Sequence, residues 1–378
     1  MLFIDTEVTF WNKGNPFDRR NFLVCVGWMD EQGNKGIWYA GENRESLDRA
    51  LARHDVWIFF NAKFDLHWLR RCGIGFPSRI FCCQVAEFVL NGQSPKYPSL
   101  DGTAATYGVP GKFDYIKVNY WDKGINTHEI PRAELSEYCL QDIACTRDVY
   151  YKQQERITPQ NRALISLQMQ DLVVLEDVEW TGMFFNPEKV KEKEKTLAKQ
   201  ITELQESLDV FHNVPNFNWA SPRHLSALLY GGVIQEERRH QIGVFATGKK
   251  VGAPRFSIEV IDHVLPRMYQ PPKGSELGKP GEPTKVWSTD EDNLRRIKGG
   301  KKILIERLLL VRELSKLQST YAAGLLKKHT EMNWEPNYLH GQYNQVVAQT
   351  GRLSSTDPNM QNMPEVMNDI FESRYDHT

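Results

Sequence analysis

The sequence predicts an α/β domain followed by a mainly helical one, and three observations carry that prediction. Over the first 150 residues, short apolar and β-branched runs (Leu2–Ile4, Asn21–Met29, Lys35–Ala40, Val56–Phe60) alternate with amphipathic segments (Arg44–His54, Lys63–Arg71), the pattern of strands and helices in one sheet-based domain. After Thr158-Pro159 the spacing turns helical, with Leu164, Leu167, Leu172, Leu175 and Val178 on one stripe. Beyond breaks at Gly182 and Pro187, a second stripe of Val190, Leu197, Ile201, Leu204, Leu208 and Phe211 suits one antiparallel helix pair. A chain of 378 residues, 40% hydrophobic and 25% charged, has the length for about two domains and enough apolar side chains to fill them.

The elements follow in order. Leu2, Phe3 and Ile4 read as a buried strand that Asp5 and Glu7 end. Side chains two apart on a strand share a face, so the two carboxylates emerge together while Thr6 points away. Like charges held side by side repel, and a divalent cation is the usual compensation. Arg44–His54 sets Leu47, Ala50 and Leu51 on one helical face. The strand Val56–Phe60 ends at Asn61, a helix-capping residue type, and Asp65 lies just inside the helix that follows. Ile80–Leu90 fits either state, whereas the glycines, Pro110 and aromatics of Tyr107–Asn126 argue irregular structure. Pro131 opens a long helix to about Arg156, on which Tyr138 and Asp142 share a face four residues apart. Residues 231–300, rich in Gly, Pro, Lys and Arg, read as a long, partly flexible insertion. Ile303–His329 is a further helix with Leu308, Val311, Leu314, Leu317, Tyr321 and Leu325 in register. The last forty residues are polar and turn-rich, with too few apolar residues to bury themselves, so they should be ordered by packing on another surface.

Composition narrows the class. No apolar run reaches the length of a membrane span, and the chain enters its first strand without a basic leader, so a signal peptide is not expected. All six cysteines (Cys25, Cys72, Cys82, Cys83, Cys139, Cys145) precede residue 150 and fit no metal-ligand spacing; free thiols in a reducing cytoplasm are the expectation. The net charge of −1 hides an asymmetry, since Arg238–Lys302 holds 14 Lys and Arg against 7 Asp and Glu. A local basic segment points to contact with a polyanion, a solvated lysine-rich loop being the alternative.

Asp5, Glu7, Asp65 and Asp142 can converge at the edge of one sheet, with Tyr138 beside them. Carboxylates so arranged hold divalent ions, which acidify a bound water and stabilise both the attacking and leaving oxygens of a phosphodiester. Tyr138, a phenol with an ordinary pKa of about 10, is a weak base better suited to orienting that water.

These stretches, IDTE, NAKFD and YCLQD, resemble the three motifs of the DEDD 3′–5′ exonucleases, in the subclass whose third motif is Tyr-x-x-x-Asp. The resemblance implies an RNase H-like fold and two Mg²⁺ or Mn²⁺ ions, with Asp5, Glu7 and Asp142 on the first, Asp5 bridging to the second and Asp65 binding through water. The C-terminal half resembles the family A DNA polymerases, of the bacterial DNA polymerase I type and its phage relatives. GMFFNP (182–187), FNWASPRHL (217–225) and RELSKLQSTY (312–321) look like thumb helices. QTGRLSSTDPNMQNMP (349–364) looks like the motif at the thumb base that touches primer–template DNA. By that match Arg352 reaches the minor groove near the primer terminus with Gln361 and Asn362 nearby, and Lys249, Lys250, Arg295, Arg296, Lys301 and Lys302 contact phosphates from the thumb.

The organisation so implied is an exonuclease domain over 1–157, a helical thumb-like domain over 158–338 with the basic insertion at about 231–300, and the start of a palm over 339–378. The first palm motif, Asp-Tyr-Ser-Gln-x-Glu, and a 5′-nuclease domain are not found in the sequence. The expectation is therefore the proofreading exonuclease and DNA-binding subunit of a split phage polymerase, without polymerase activity by itself. Palm and fingers would sit on a second chain, and the substrates would be single-stranded 3′ ends and primer–template DNA in a bacterial host's cytoplasm. A truncated single-chain polymerase, a DNA-binding clamp with a vestigial nuclease and an RNase D-like RNA trimmer are the alternatives.

Overall fold

The computed structural model describes residues 1–94, 97–111, 115–244, 246–247, 251–277, 286–299, 302–373 and 375. They fall into two compact units, Met1–Val190 with Gly324–Thr378, and Lys191–Ala323.

The first unit is built on a five-stranded mixed sheet. Strands β1 (Leu2–Val8), β2 (Leu23–Asp30) and β3 (Lys35–Tyr39) form an antiparallel meander. After helix α1 (Glu45–Ala52), β4 (Val56–Phe59) pairs parallel with β1, α2 (Ala62–Arg71) crosses over, and β5 (Arg79–Cys82) pairs parallel with β4. The order β3-β2-β1-β4-β5 puts β1 at the centre. Helices α3 (Cys83–Leu90), α4 (Leu100–Tyr107), α5 (Tyr115–Asn119), α6 (Arg132–Arg156) and α7 (Pro159–Thr181) complete the N-terminal part. The ambiguous run at 80–90 is thus half strand and half helix, and the stretch expected to be irregular holds short helical turns.

The pleat of β1 decides which helix each residue meets. Leu2, Ile4 and Val8 pack with Leu66, Trp68 and Leu69 of α2 and with Ile165, Met169 and Leu172 of α7. Phe3 packs on the other face with Cys139, Ile143 and Val149 of α6. Each of these fully buried Leu, Ile or Phe side chains stabilises the layering by about 1.5–3 kcal/mol.

The face that α7 buries differs from the expected stripe. Leu164, Leu167 and Val178 are exposed, while Ile165, Met169, Leu172, Leu175, Glu176 and Glu179 are buried. Two carboxylates sit on the inner face because cations of α2 meet them: Lys63 pairs with Glu179 at 2.5 Å and Arg70 with Glu176 at 2.9 Å. His67 stands between the two glutamates, at 3.1 Å from Glu176 and 2.9 Å from Glu179. An apolar-periodicity reading cannot see such a face. Thr158 and Asn161 cap the start of α7 reciprocally. It stops at Gly182, where φ is +63° and a Cβ would lie 2.8 Å from His340, so glycine is required there.

Strand β6 (Met183–Phe184) leads into α8 (Pro187–Leu208) and the second unit. There α9 (Pro222–Tyr230), capped by Ser221, precedes the strands β7 (Gly232–Val244) and β8 (Pro254–Leu265), the short pair β9 (Glu276–Leu277) and β10 (Val286–Trp287), α10 (Glu291–Arg295) and α11 (Lys302–Lys316). Leu208, Trp219, Leu225, Leu228, Tyr230, Leu265, Leu304 and Leu308 form its core. Within the segment read as a partly flexible insertion, β7 and β8 form a long antiparallel ribbon, paired from Gly232–Leu265 to Val244–Pro254. The alternation of Phe256, Ile258 and Val260 with Ser257 and Glu259 is a strand signal, which the surrounding Gly, Pro and Lys content masked.

A π-helical turn at Leu317–Ala322 runs into α12 (Ala323–Met332), which re-enters the first unit. There β11 (Tyr338–Leu339) pairs with β6, and β12 (Gln342–Asn344) pairs with β13 (Ser354–Thr356). Leu339, Val346, Met367 and Ile370 are buried, and Asn186 donates its amide to the Ile370 carbonyl. The surface that orders the tail is therefore in the same chain, made largely by α7, β6 and the residues around Asn186. The fold class is the predicted one, an α/β unit on a mixed sheet with a mainly helical remainder.

Candidate active site

The site forms where β1 leaves the sheet beneath α6. Asp5 and Glu7 pair across β2 with Gly27 and Cys25, and the register shifts just after Glu7. Asp5 is half-buried and Glu7 buried. Being on the same pleat face as Phe3, they meet α6, which brings Tyr138, Cys139 and Asp142, all buried. The Tyr138 hydroxyl is hydrogen-bonded to Asp142, and Trp121 packs edge-on against its ring at 5.7 Å. Burial, followed by the charges of Asp142, Glu7 and Asp5, pushes the Tyr138 phenol far above its ordinary value. It stays protonated at neutral pH and acts as a hydrogen-bonding group.

Sequence reasoning missed Cys139. Its Sγ lies 3.9 Å from Asp5 Oδ2, and ligand atoms of Asp5, Glu7 and Cys139 lie within 4.8 Å of one another. A hydrogen bond with Cys25 and burial raise its pKa well above the usual thiol value. A protonated thiol is a poor ligand, so the donors that fit a cation here are carboxylate oxygens, which suit hard divalent ions such as Mg²⁺ or Mn²⁺. The only signal for Cys139 was its position beside Tyr138. All six cysteines are free, and all but the half-buried Cys72 are buried.

Asp65 is brought to β1 from the opposite side of the sheet. Its Oδ1 accepts the Thr6 amide at 3.1 Å and the Thr6 hydroxyl at 2.7 Å. Thr6, the residue read as pointing away from the carboxylates, is thus what holds Asp65. Burial pushes Asp65 up to about 7 although the two Thr6 bonds pull it down. Asn61 occupies the N-cap position of α2, without a side-chain capping bond. The structure therefore gathers Asp5, Glu7, Tyr138 and Asp142 beneath α6, and seats Asp65 on Thr6, between them in sequence along β1.

Two further features flank the carboxylates. A cavity of about 410 Å³ is lined by Tyr115, Ile116, Glu134, Glu137, Tyr138 and Gln141. Just past Glu7, Phe10, Trp11 and Phe22 are exposed, with His128 against Trp11 and Phe22 at ring distances of 6.2 and 5.3 Å. Exposed aromatics of this kind are surfaces on which bases stack, and the Phe10-Trp11 pair directly after the acidic triplet was a legible signal.

Of the DNA-contact candidates, Arg352 is exposed in the loop joining β12 to β13, and Gln361 and Asn362 are exposed beyond it, donating their amides to Asn359. Arg352 is not paired with Asp357, whose carboxylate takes Lys328 at 2.6 Å. In the second unit Arg295 pairs with Glu291 at 2.7 Å, Arg296 donates to Asn293 and to the Lys273 carbonyl, and Lys302 is exposed at the start of α11. Lys249, Lys250 and Lys301 lie outside the described residues. Among the described residues, no helix is long and apolar enough to cross a membrane.

The chain matches two family models, 3′-5′ exonuclease over residues 5–158 and DNA polymerase family A over residues 257–375. It is similar to DNA polymerase I of Bacillus subtilis (strain 168), 26% identical over 317 residues that cover 82% of this chain and 29% of that protein. It is also similar to DNA polymerase I of Geobacillus stearothermophilus, 44% identical over 78 residues, 21% of this chain and 8% of that protein. The chain thus spans less than a third of the length of these curated relatives. Among solved structures it resembles the POL domain of Pol1 from M. smegmatis in complex with DNA primer-template and dNTP, with a TM-score of 0.63, 17% identity, and coverage of 96% of this chain and 52% of that one. At that identity the likeness is one of fold.

Proposed function

Built from a 3′–5′ exonuclease domain and a segment of a family A DNA polymerase, this chain is, we propose, a metal-dependent 3′–5′ exodeoxyribonuclease that proofreads for a polymerase. The observation that carries the reading is the meeting of Asp5 and Glu7 on β1 with Tyr138 and Asp142 on α6, on one face of one sheet. Asp5, Glu7 and Asp142 would hold the first Mg²⁺ or Mn²⁺, Asp5 would bridge to a second, and Asp65 would act through water. Bound there, the ions supply Lewis acidity toward the phosphoryl oxygen and the leaving oxygen, and an acidified water.

The chain's own residues do the rest. Tyr138, a buried phenol, orients the attacking water. Water adds to phosphorus, the P–O3′ bond breaks, the 3′-oxygen takes a proton, and a nucleoside 5′-monophosphate leaves. Phe10, Trp11 and Phe22 offer stacking faces to a frayed single strand. Arg352, Gln361 and Asn362 contact primer–template DNA, and Arg295, Arg296, Lys302, Lys249, Lys250 and Lys301 contact phosphates. The working division is an exonuclease over 1–157, a thumb-like domain over 158–338 and the start of a palm over 339–378.

A 5′-labelled oligonucleotide tests the central reading. Hydrolysis from the 3′ end should need Mg²⁺ or Mn²⁺ and stop in EDTA. Asp5→Ala or Asp142→Ala should slow it by about a hundredfold or more, while Tyr138→Phe, losing one orienting hydrogen bond and no ligand, should leave measurable activity. Undiminished hydrolysis in Asp5→Ala or Asp142→Ala would sink the assignment. The finer reading is a split phage polymerase working in the host cytoplasm, with palm and fingers on a second chain. Mixing this chain with a palm-bearing partner should then produce primer extension that neither gives alone, and failure to extend would leave the truncated-polymerase reading.

A further inference from the structure

The first unit holds a second polar cleft, at the C-terminal end of α2. It measures about 620 Å³ and is lined by Arg19, Arg70, Arg71, Trp180, Tyr338 and His340 among others. The three arginines are not equivalent. Arg70 is committed within the fold, donating to Glu176 at 2.9 Å and to Asp177 at 2.8 Å and lying 5.1 Å over the Trp180 ring. Arg19 and Arg71 donate only to neutral oxygens. Arg19 uses Nε and Nη2 on the carbonyl and Oδ1 of Asn333, both at 3.2 Å, and Arg71 uses Nη1 on the carbonyls of Pro16 at 2.6 Å and Asp18 at 3.2 Å.

A guanidinium carries five N–H donors in a planar fork. Each of these two is therefore aimed by part of its fork and keeps further donors for a ligand. Arg19 stands on a rigid loop, because the buried Asp18 carboxylate accepts from Asn12, Arg20 and Asn333. Glu335 is the carboxylate in the lining. With Arg70 met by Glu176 and Asp177, the lining sets two cations, Arg19 and Arg71, against the one Glu335 carboxylate. Pre-aimed cations of this kind lower the ordering cost of binding an anion.

We propose that this cleft binds a nucleotide, with its phosphate on Arg19 and Arg71 and its base against the Tyr338 ring, independently of the carboxylate site. Arginine forks match phosphate oxygens in pairs, aromatic rings accept any base, and the volume lies in the range of about 300–1,000 Å³ usual for small-molecule sites. The nucleotide has two sources, a free nucleoside 5′-monophosphate or one unit of single-stranded DNA.

The test uses the full chain in EDTA with thymidine 5′-monophosphate, inorganic phosphate and a short oligothymidylate as probes. Asp5→Ala takes the carboxylate site out of the measurement. Arg19 is exposed, so Arg19→Gln should fold normally, with an unchanged urea midpoint as its control. Thymidine monophosphate should bind the Asp5→Ala chain, and adding Arg19→Gln should weaken it by about tenfold, the loss expected for a charge-assisted contact. Equal affinity for monomer and oligomer assigns the free nucleotide, and tighter binding of the oligomer assigns the strand. The proposal is overturned if binding disappears in Asp5→Ala yet survives Arg19→Gln. It is overturned equally if inorganic phosphate competes on level terms, because the ring then plays no part, or if no probe binds. None of these outcomes bears on the exonuclease reading, which the rate measurement judges separately.

Discussion

Replacing Glu179 by Ala removes the carboxylate that ties the helix bearing Asp65 to the C-terminal segment. Glu179 is 3% exposed and accepts Lys63 Nζ at 2.5 Å, the Tyr343 amide at 2.6 Å and His67 Nε2 at 2.9 Å. Lys63 also donates to the Tyr343 carbonyl, so the ion pair grips both polar groups of one residue of β12. Deleting one partner of a buried ion pair costs about 3–5 kcal/mol. The orphaned Tyr343 amide and His67 would each add about 1–3 kcal/mol, which water entering the vacated space offsets in part. A net loss of about 4 kcal/mol is expected, a large share of the roughly 5–15 kcal/mol that holds a domain folded. Glu179→Gln, which keeps an acceptor for Tyr343, should lose about half as much. Urea denaturation followed by a probe in the first unit measures both.

The pH dependence adds a sign. Burial alone pushes Glu179 up, but the His67 hydrogen bond and the Lys63 charge more than reverse this and leave it below the ordinary 4.5. A carboxylate whose folded pKa is depressed contributes stability that is fully present above its unfolded pKa and is lost as pH falls through the folded value. The gap between wild type and Glu179→Gln should therefore be widest at neutral pH and close on acidification below 4.5. A loss under about 1 kcal/mol for Glu179→Ala, against the buried-pair expectation, or a gap independent of pH, would refute the reasoning.

Gly27→Ala should damage the site from behind, because a Cβ there would lie 2.6 Å from Cys139 Sγ and 2.7 Å from Ile143 Cδ1, and Gly27 sits opposite Asp5. Moving α6 away should cost about 1–3 kcal/mol and lower exonuclease rate through Tyr138 and Asp142; a variant as stable and as active as wild type contradicts the packing described. Neutralising Arg295, Arg296 and Lys302 together should flatten the salt dependence of duplex binding by about 0.9 in the log–log slope per lost phosphate contact. An unmoved slope makes the segment a solvated surface.

Legibility followed the range of the interactions. The strands β1, β2, β3 and β4 were visible as short apolar runs, α1 and α2 as the amphipathic segments between and after them, and α6 from the proline that opens it. The α8 stripe from Val190 to Leu208 was visible from its helical spacing. The inner face of α7 was not, because Glu176 and Glu179 are buried only by virtue of Lys63, His67 and Arg70, more than a hundred residues earlier. The β7–β8 ribbon was hidden by composition, although Phe256, Ile258 and Val260 alternate along it. The tail was read as needing another surface, and nothing local showed that α7 and β6 of the same chain pack against it.

That Asp5 and Glu7 share a face, and Tyr138 and Asp142 another, was readable from residue spacing, since periods of two and 3.6 are properties of the backbone. The sequence also carried IDTE, NAKFD and YCLQD, which lie inside the exonuclease match, and the stretches 312–321 and 349–364, which lie inside the polymerase match. That those two faces meet, that Cys139 stands beside Asp5 and that Thr6 holds Asp65 from the sheet's other side emerged with the tertiary fold. The reason is physical: a side chain's direction along its own element is set by local geometry, whereas its neighbour across the core is set by how the sheet and helices stack, and charge partners such as Glu179 and Lys63 become readable only once that stacking exists.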